Sequence, residues 1–353
     1  MKSVARSGLA RSTLVRSLIL VAIVGLILLA VSAFIGDYRN TQLATGAYFF
    51  AALAGLTVLA GLSGKISLGH GALMAVGAYA VALLVGNEHW PLAAALAAGT
   101  VAAMIIGIPI GAAATRLHGP YLAGLTLAFA VGLPALADTY PSTFGGENGL
   151  TINPPTAPSW LGANFSFEHW EAWVACLGAL IVLFVLYNLI HSGIGRSMRA
   201  ARDDEIAAAL CGLRVGPTHT LAFVVSAGCA GLGGGLLAVV NELAQPGAFP
   251  LALSLSLLTG VVLGGLGSLA GAVWGAALLV FLPSWTTDLG HAFSLSNQVA
   301  FNLPLAIYGI VLIVAMLAWP SGIQGGVRAI AGLVRSRFAA RSQPAEVAPE
   351  SQG

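Results

Sequence analysis

The sequence predicts an all-α polytopic membrane protein with about ten transmembrane helices. Three observations predict it. The chain of 353 residues is 58% hydrophobic and only 8% charged, whereas soluble domains carry roughly 25% charged residues. Apolar runs recur along most of its length, most of them with the roughly 17–25 residues a spanning helix needs. Fourteen of its fifteen Lys and Arg residues fall on one side when ten runs are threaded back and forth. The 45 glycines fit helices that pack through small residues. A net charge of +2 gives no case for nucleic acid. Cys176, Cys211 and Cys229 are scattered, odd in number and without metal spacing.

In chain order, residues 1–16 carry Lys2, Arg6, Arg11 and Arg16 and no acid, a basic cytoplasmic N-terminus. The run 17–35 has a Val31-Ser32-Ala33 that resembles a signal cleavage site. It is longer than the roughly 7–15 residues of a signal h-region, and reads as a first span. Further runs cover about 46–62, 69–86, 91–114, 121–137, 170–190, 219–240, 251–267, 269–287 and 299–319. The pair 46–62 and 69–86 is short and broken by glycines. Together the runs make one domain over 17–319, with a cytoplasmic tail over 320–353 whose Pro-containing end reads as disordered. On the outer side Arg39 is the lone basic residue, and 139–169 is the longest loop, with Pro141, Pro154, Pro155 and Pro158. The inner side holds a polar loop over 191–218.

That inner loop contains Arg196, Arg199, Arg202 and Arg214 and a short predicted helix. Asp203, Asp204 and Glu205 suit a helix N-terminus. Ile206, Leu210 and Leu213 form a narrow apolar stripe flanked by the small Ala207 and Ala208. Gly212 suits a left-handed cap, and Pro217 follows where the helix cannot continue. A helix of about ten residues is marginal in water and needs a surface, either the bilayer or a partner protein.

Gly61-Leu62-Ser63-Gly64-Lys65-Ile66-Ser67-Leu68-Gly69-His70-Gly71 joins the second and third runs. Glycines and serines so spaced break a membrane helix, and the freed backbone groups must be met by neighbours or line a cavity. A half-helix starting near Gly69 would aim its positive end inward, which suits an anion or a zwitterion's carboxylate. A plain cytoplasmic turn with packing glycines is the other reading. His70 is either a hydrogen-bonded structural residue or part of a pathway.

Two motifs mislead. Gly265-Leu266-Gly267 with Ala270 matches a relaxed dinucleotide fingerprint, but lies between apolar runs instead of a strand and a helix. Gly61-Leu62-Ser63-Gly64 matches the GxSG of rhomboid-like intramembrane proteases, which need a histidine base on another span. His118 and His291 lie at run ends or in loops. No GxxxxGK[ST] occurs, so ATP binding by a P-loop is not expected in this chain.

Several segments share a resemblance. Asp203 to Gly212, DDEIAAALCG, resembles the EAA-type coupling motif of bacterial ABC importer permeases. GLSGKISLGHGALMAVGAYAVALL, LHGPY at 117–121, FGGENGL at 144–150, VLGGLGS at 262–268 and WPSG at 319–322 follow in the order found in branched-chain amino acid permeases of the LivM-like branch. The resemblance runs from about 46 to 326. That family more often has Gln or Leu where Lys65 stands. The resemblance implies an ABC importer permease fold and function: import of branched-chain or other apolar amino acids across the bacterial inner membrane by alternating access. Relatives of similar pattern import urea, short amides or aromatic acids. It implies a second related permease, two ATPase subunits that bind the ATP, and a periplasmic substrate-binding protein. This chain would itself be no enzyme and hold no cofactor. Arg202, Asp203, Asp204, Glu205, Ile206, Ala207, Ala208, Leu210 and Gly212 would dock an ATPase. Ser63, Ser67, Gly69, His70 and Gly71 would border the substrate pathway. An ion-coupled secondary transporter is the rival. Such proteins commonly carry functional acids in mid-membrane, whereas Asp138, Glu171, Glu242 and Asp288 all lie in loops or near run ends.

Overall fold

A computed structural model describes residues 2–86, 88, 90–117, 119–153, 157 and 166–292, with 307, 309–310, 313–314 and 322–327. His118, Pro154, Pro155, Pro158, most of the expected run 299–319 and the tail beyond 327 lie outside the described residues. The described chain is helical almost throughout: α1 (Lys2–Phe34), α2 (Asp37–Ser63), α3 (His70–Gly86), α4 (Leu92–Ala114), α5 (Pro120–Thr139), α6 (Pro141–Phe144), α7 (Phe167–His191), α8 (Gly193–Asp203), α9 (Glu205–Leu210), α10 (Val215–Val240), α11 (Leu251–Gly264) and α12 (Leu269–Ala292). Seven helical segments are long and apolar enough to cross a membrane. His70–Gly86 and Leu269–Trp285 are shorter apolar helices. These nine fall on nine of the expected runs.

Two boundaries differ from expectation. The basic N-terminus does not precede the first helix but continues it, since α1 starts at Lys2. The second run is not short: α2 starts at Asp37 and has 27 residues. Its polar first turns are held by side chains. Asn40 is fully buried, accepts from Ser32 Oγ at 2.7 Å, and lies 3.0 Å from His169 Nε2.

The core forms where α10 lies against α2, α3 and α4. Lipid tails are as apolar as leucine, so close van der Waals contact, not burial from water, must hold such helices together. Glycine permits that contact. A Cβ at Gly77 of α3 would overlap the Gly231 carbonyl of α10, and one at Gly234 would overlap the Met74 carbonyl of α3.

The bundle has two distinct ends. One gathers Ser17 against Asn188, the 64–69 turn, α8 and α9, the start of α10, and Gly267 against Gly61. At the other end, Leu150–Thr151 (β1) pairs antiparallel with Leu243–Ala244 (β2), Leu150 opposite Ala244. There the expected long loop begins as an ordered turn: α6, a 3₁₀ turn over Gly146–Asn148, then β1. Phe144 meets Tyr79 of α3 edge-on, ring centres 5.3 Å apart.

Candidate functional site

The inner loop folds as two helices, not one. Ser192 caps α8 by accepting from the Gly195 amide at 3.3 Å. Gly195, Met198 and Ala201 recur every third residue and face inward, buried. Arg199 donates back to the Ile190 carbonyl at 2.9 Å. Asp203, expected at the start of the docking helix, instead ends α8, with its carboxylate 2.8 Å from Arg202 Nη2. The chain breaks at Asp204, which is extended (φ −157°, ψ 110°). Its side chain accepts from the amides of Ile206 and Ala207, both at 2.9 Å. That is an N-cap, satisfying two donors that the first turn of α9 leaves without helical partners.

The other end of α9 closes as expected. Gly212 is left-handed at φ 82°. Leu213 donates to the Ala208 carbonyl at 3.1 Å and Gly212 to that of Ala209 at 2.9 Å, the two bonds of a Schellman cap. Leu213 therefore lies beyond the helix, half-buried, and leaves the predicted stripe. Pro217 does not stop α9 but sits in the first turn of α10, where its missing N–H costs nothing. What remains outward is Ile206, 75% exposed, and Leu210, 84% exposed. Ala207 is exposed too, while Ala208 turns inward and is buried. A six-residue helix, capped at both ends, thus presents two large apolar side chains.

Glu205 behaves otherwise. Its Oε1 is 3.1 Å from Lys65 Nζ and 3.2 Å from His219 Nε2. His219 Nδ1 lies 2.7 Å from Ser63 Oγ. Arg202 donates from Nη1 to the Gly61 carbonyl at 2.5 Å. The α8–α9 residues and the glycine-rich break, 140 positions apart in sequence at Lys65 and Glu205, therefore meet. His219 and the ion pair at Lys65 were missed in the sequence: the histidine on another helix that the GxSG motif was expected to lack stands beside Ser63. No local pattern joins residues so far apart.

The break itself is real. Gly64 is left-handed, and 64–69 is non-helical. Its freed amides are met as expected. Leu68 donates to Thr126 Oγ1 at 3.0 Å, Gly69 to Ser67 Oγ at 3.3 Å and Gly71 to Ser254 Oγ at 3.0 Å. Ser63, Ser67, His70 and Gly71 are buried. His70 Nε2 lies 3.0 Å from the Ala52 carbonyl. Side chains at Gly69 or Gly71 would crowd the Thr126 carbonyl or Ser254 Oγ. The described residues contain no group of three or more His, Cys, Asp or Glu able to hold a metal ion.

Residues 38–317 match the family described as branched-chain amino acid transport system / permease component. The chain is 33% identical over 299 residues to the high-affinity branched-chain amino acid transport system permease protein LivM of Escherichia coli (strain K12), covering 76% of this chain and 68% of the relative. It is 27% identical to LivH of Salmonella typhimurium, covering 77% and 89% of the two chains. It is 28% identical to BraD of Pseudomonas aeruginosa, covering 80% and 93%. No solved structure matches. A helical multi-span bundle, a capped helix at one end and a match over most of the chain lead to one conclusion: this chain belongs to the branched-chain amino acid transport system permease family.

Proposed function

We propose that this chain is a permease subunit of a bacterial ABC importer, moving branched-chain or other apolar amino acids across the inner membrane. The substrate class follows the names of its relatives. Alternating access is driven by two separate ATPase subunits, which hold the ATP. A second, related permease and a periplasmic binding protein complete the importer. The single observation that carries this reading is the outward pair Ile206 and Leu210 on a capped helix. A bilayer could also cover two apolar side chains. The match to a transport permease family favours a partner protein over the bilayer as the cover.

The proposed topology has ten spans and cytoplasmic termini. Charge supports the orientation, fourteen basic residues against one. Packing supports the tenth span. Gly322 lies against Gly265, and Gln324 accepts from Trp274 Nε1 at 3.2 Å. Yet α12, which starts beside them, has 24 residues and ends roughly 36 Å away at 1.5 Å per residue. The apolar run 299–319 has the 21 residues that a spanning helix needs. Ser63, Ser67, Gly69, His70 and Gly71 are proposed as a moving wall of the pathway, since they sit where the α2–α3 break meets α5 and α11.

The test is affinity purification of the tagged chain from its own cell. The expected result is a stoichiometric ATPase and a second permease, with leucine-stimulated hydrolysis when the binding protein is added. Recovery of the chain without any ATPase would contradict the proposal.

A further inference from the structure

We infer that Lys65 is a positioning residue for coupling: together with His219 it ties the first residue of α9 to the break between α2 and α3, so that the docking helix and the break move as one piece. This rests on the docking reading above.

Three separate elements grip the same short turn. From α8, Arg202 donates to the Gly61 carbonyl, one of the last carbonyls of α2 that no helical amide reaches. The Cγ of the same side chain lies against Gly64. From α10, His219 stands between Ser63 on α2 and Glu205 on α9. From α9, Glu205 reaches Lys65 itself at 3.1 Å.

The Lys65 side chain is only 10% exposed, while that of Glu205 is 40% exposed. A buried ammonium needs a paired charge, and Glu205 is the carboxylate that supplies it among the described residues. The pair is therefore unlike an exposed surface ion pair, whose partners separate freely into water. Displacing α9 must either carry Lys65 along or leave its charge buried and alone. Through Ile66 and Ser67, Lys65 leads to Leu68 and Gly69, whose amides are held by Thr126 of α5 and by Ser67, and then into α3, held by Ser254 of α11. A push on Ile206 and Leu210 thus has a continuous route, by one ion pair and a short backbone stretch, to α3, α5 and α11.

The experiment uses the complete importer in proteoliposomes, with native chain, Lys65→Met and Lys65→Arg. ATPase retained, ATP hydrolysed and leucine taken up are measured together. Lys65→Met is expected to retain the ATPase and its hydrolysis, while uptake per ATP falls by about fivefold or more, the low end of typical coupling between sites. Lys65→Arg, which keeps the charge, is expected to recover most of that ratio. Three results would overturn the inference: native uptake per ATP in Lys65→Met, loss of uptake only in proportion to lost complex, or no recovery in Lys65→Arg. A native chain that holds no ATPase would overturn the docking reading itself, and the inference with it, before any variant is compared.

Discussion

Gly212 shows how one residue fixes the end of α9, the proposed docking helix. Its φ of 82° is left-handed, and a Cβ there would meet nothing within 4 Å. The requirement is therefore conformational and not steric. Gly212→Val should cost about 1–2 kcal/mol at this position, enough to fray the last turn of a helix of six residues. Gly212→Asn should be tolerated, since asparagine visits that region readily. ATPase retention by the two variants in detergent checks this: loss with Val and retention with Asn is expected. Glu205→Lys acts differently. It places a cation against Lys65 and His219, so both the grip on the break and the proposed docking end of α9 are lost. The variant should insert in the membrane and pair with the second permease yet lose its ATPase, read by co-purification. The Gly212 cap was legible because few residues adopt that backbone conformation. The partners of Glu205 were not, because a carboxylate in sequence shows its charge but not which of the chain's cations it meets.

At the scale of the element, α9 carries a built-in probe. Cys211 directly follows the helix and is exposed, whereas Cys176 and Cys229 are buried in α7 and α10. In native chain, a thiol reagent should label Cys211 only after the membrane is permeabilised. Bound ATPase should slow that labelling, and its removal should restore it. Equal labelling with and without ATPase would place the docking surface elsewhere. The stripe Ile206–Leu210 could be seen in advance from its i, i+4 spacing. The division into α8 and α9 could not. By charge Asp203, Asp204 and Glu205 all suit one helix N-terminus, yet Asp203 ends α8 and Asp204 spends its side chain on the amides of Ile206 and Ala207. The starts of α1 and α2 were misjudged for a related reason. Hydropathy marks where a helix enters lipid, not where its hydrogen bonds begin, and Asn40 holds the polar start of α2 through side-chain contacts.

For the whole molecule, composition and charge predicted a bundle with two unlike ends, and the structure has two: the Lys65–Glu205 pair with α8 and α9 at one, α6 and the β1–β2 pair at the other. The proposed orientation is checked with single cysteines at Ser159 and Ser342 in a background lacking Cys176, Cys211 and Cys229. An impermeant reagent on intact cells should label the first and spare the second; the reverse would invert the topology. On the proposed function, this bundle is moved by a separate ATPase acting through α9. The most direct test is leucine uptake into proteoliposomes. Uptake is expected only when ATPase, ATP and binding protein accompany both permeases, and none from this chain alone. Robust uptake by this chain alone, driven by a proton or sodium gradient, would contradict it.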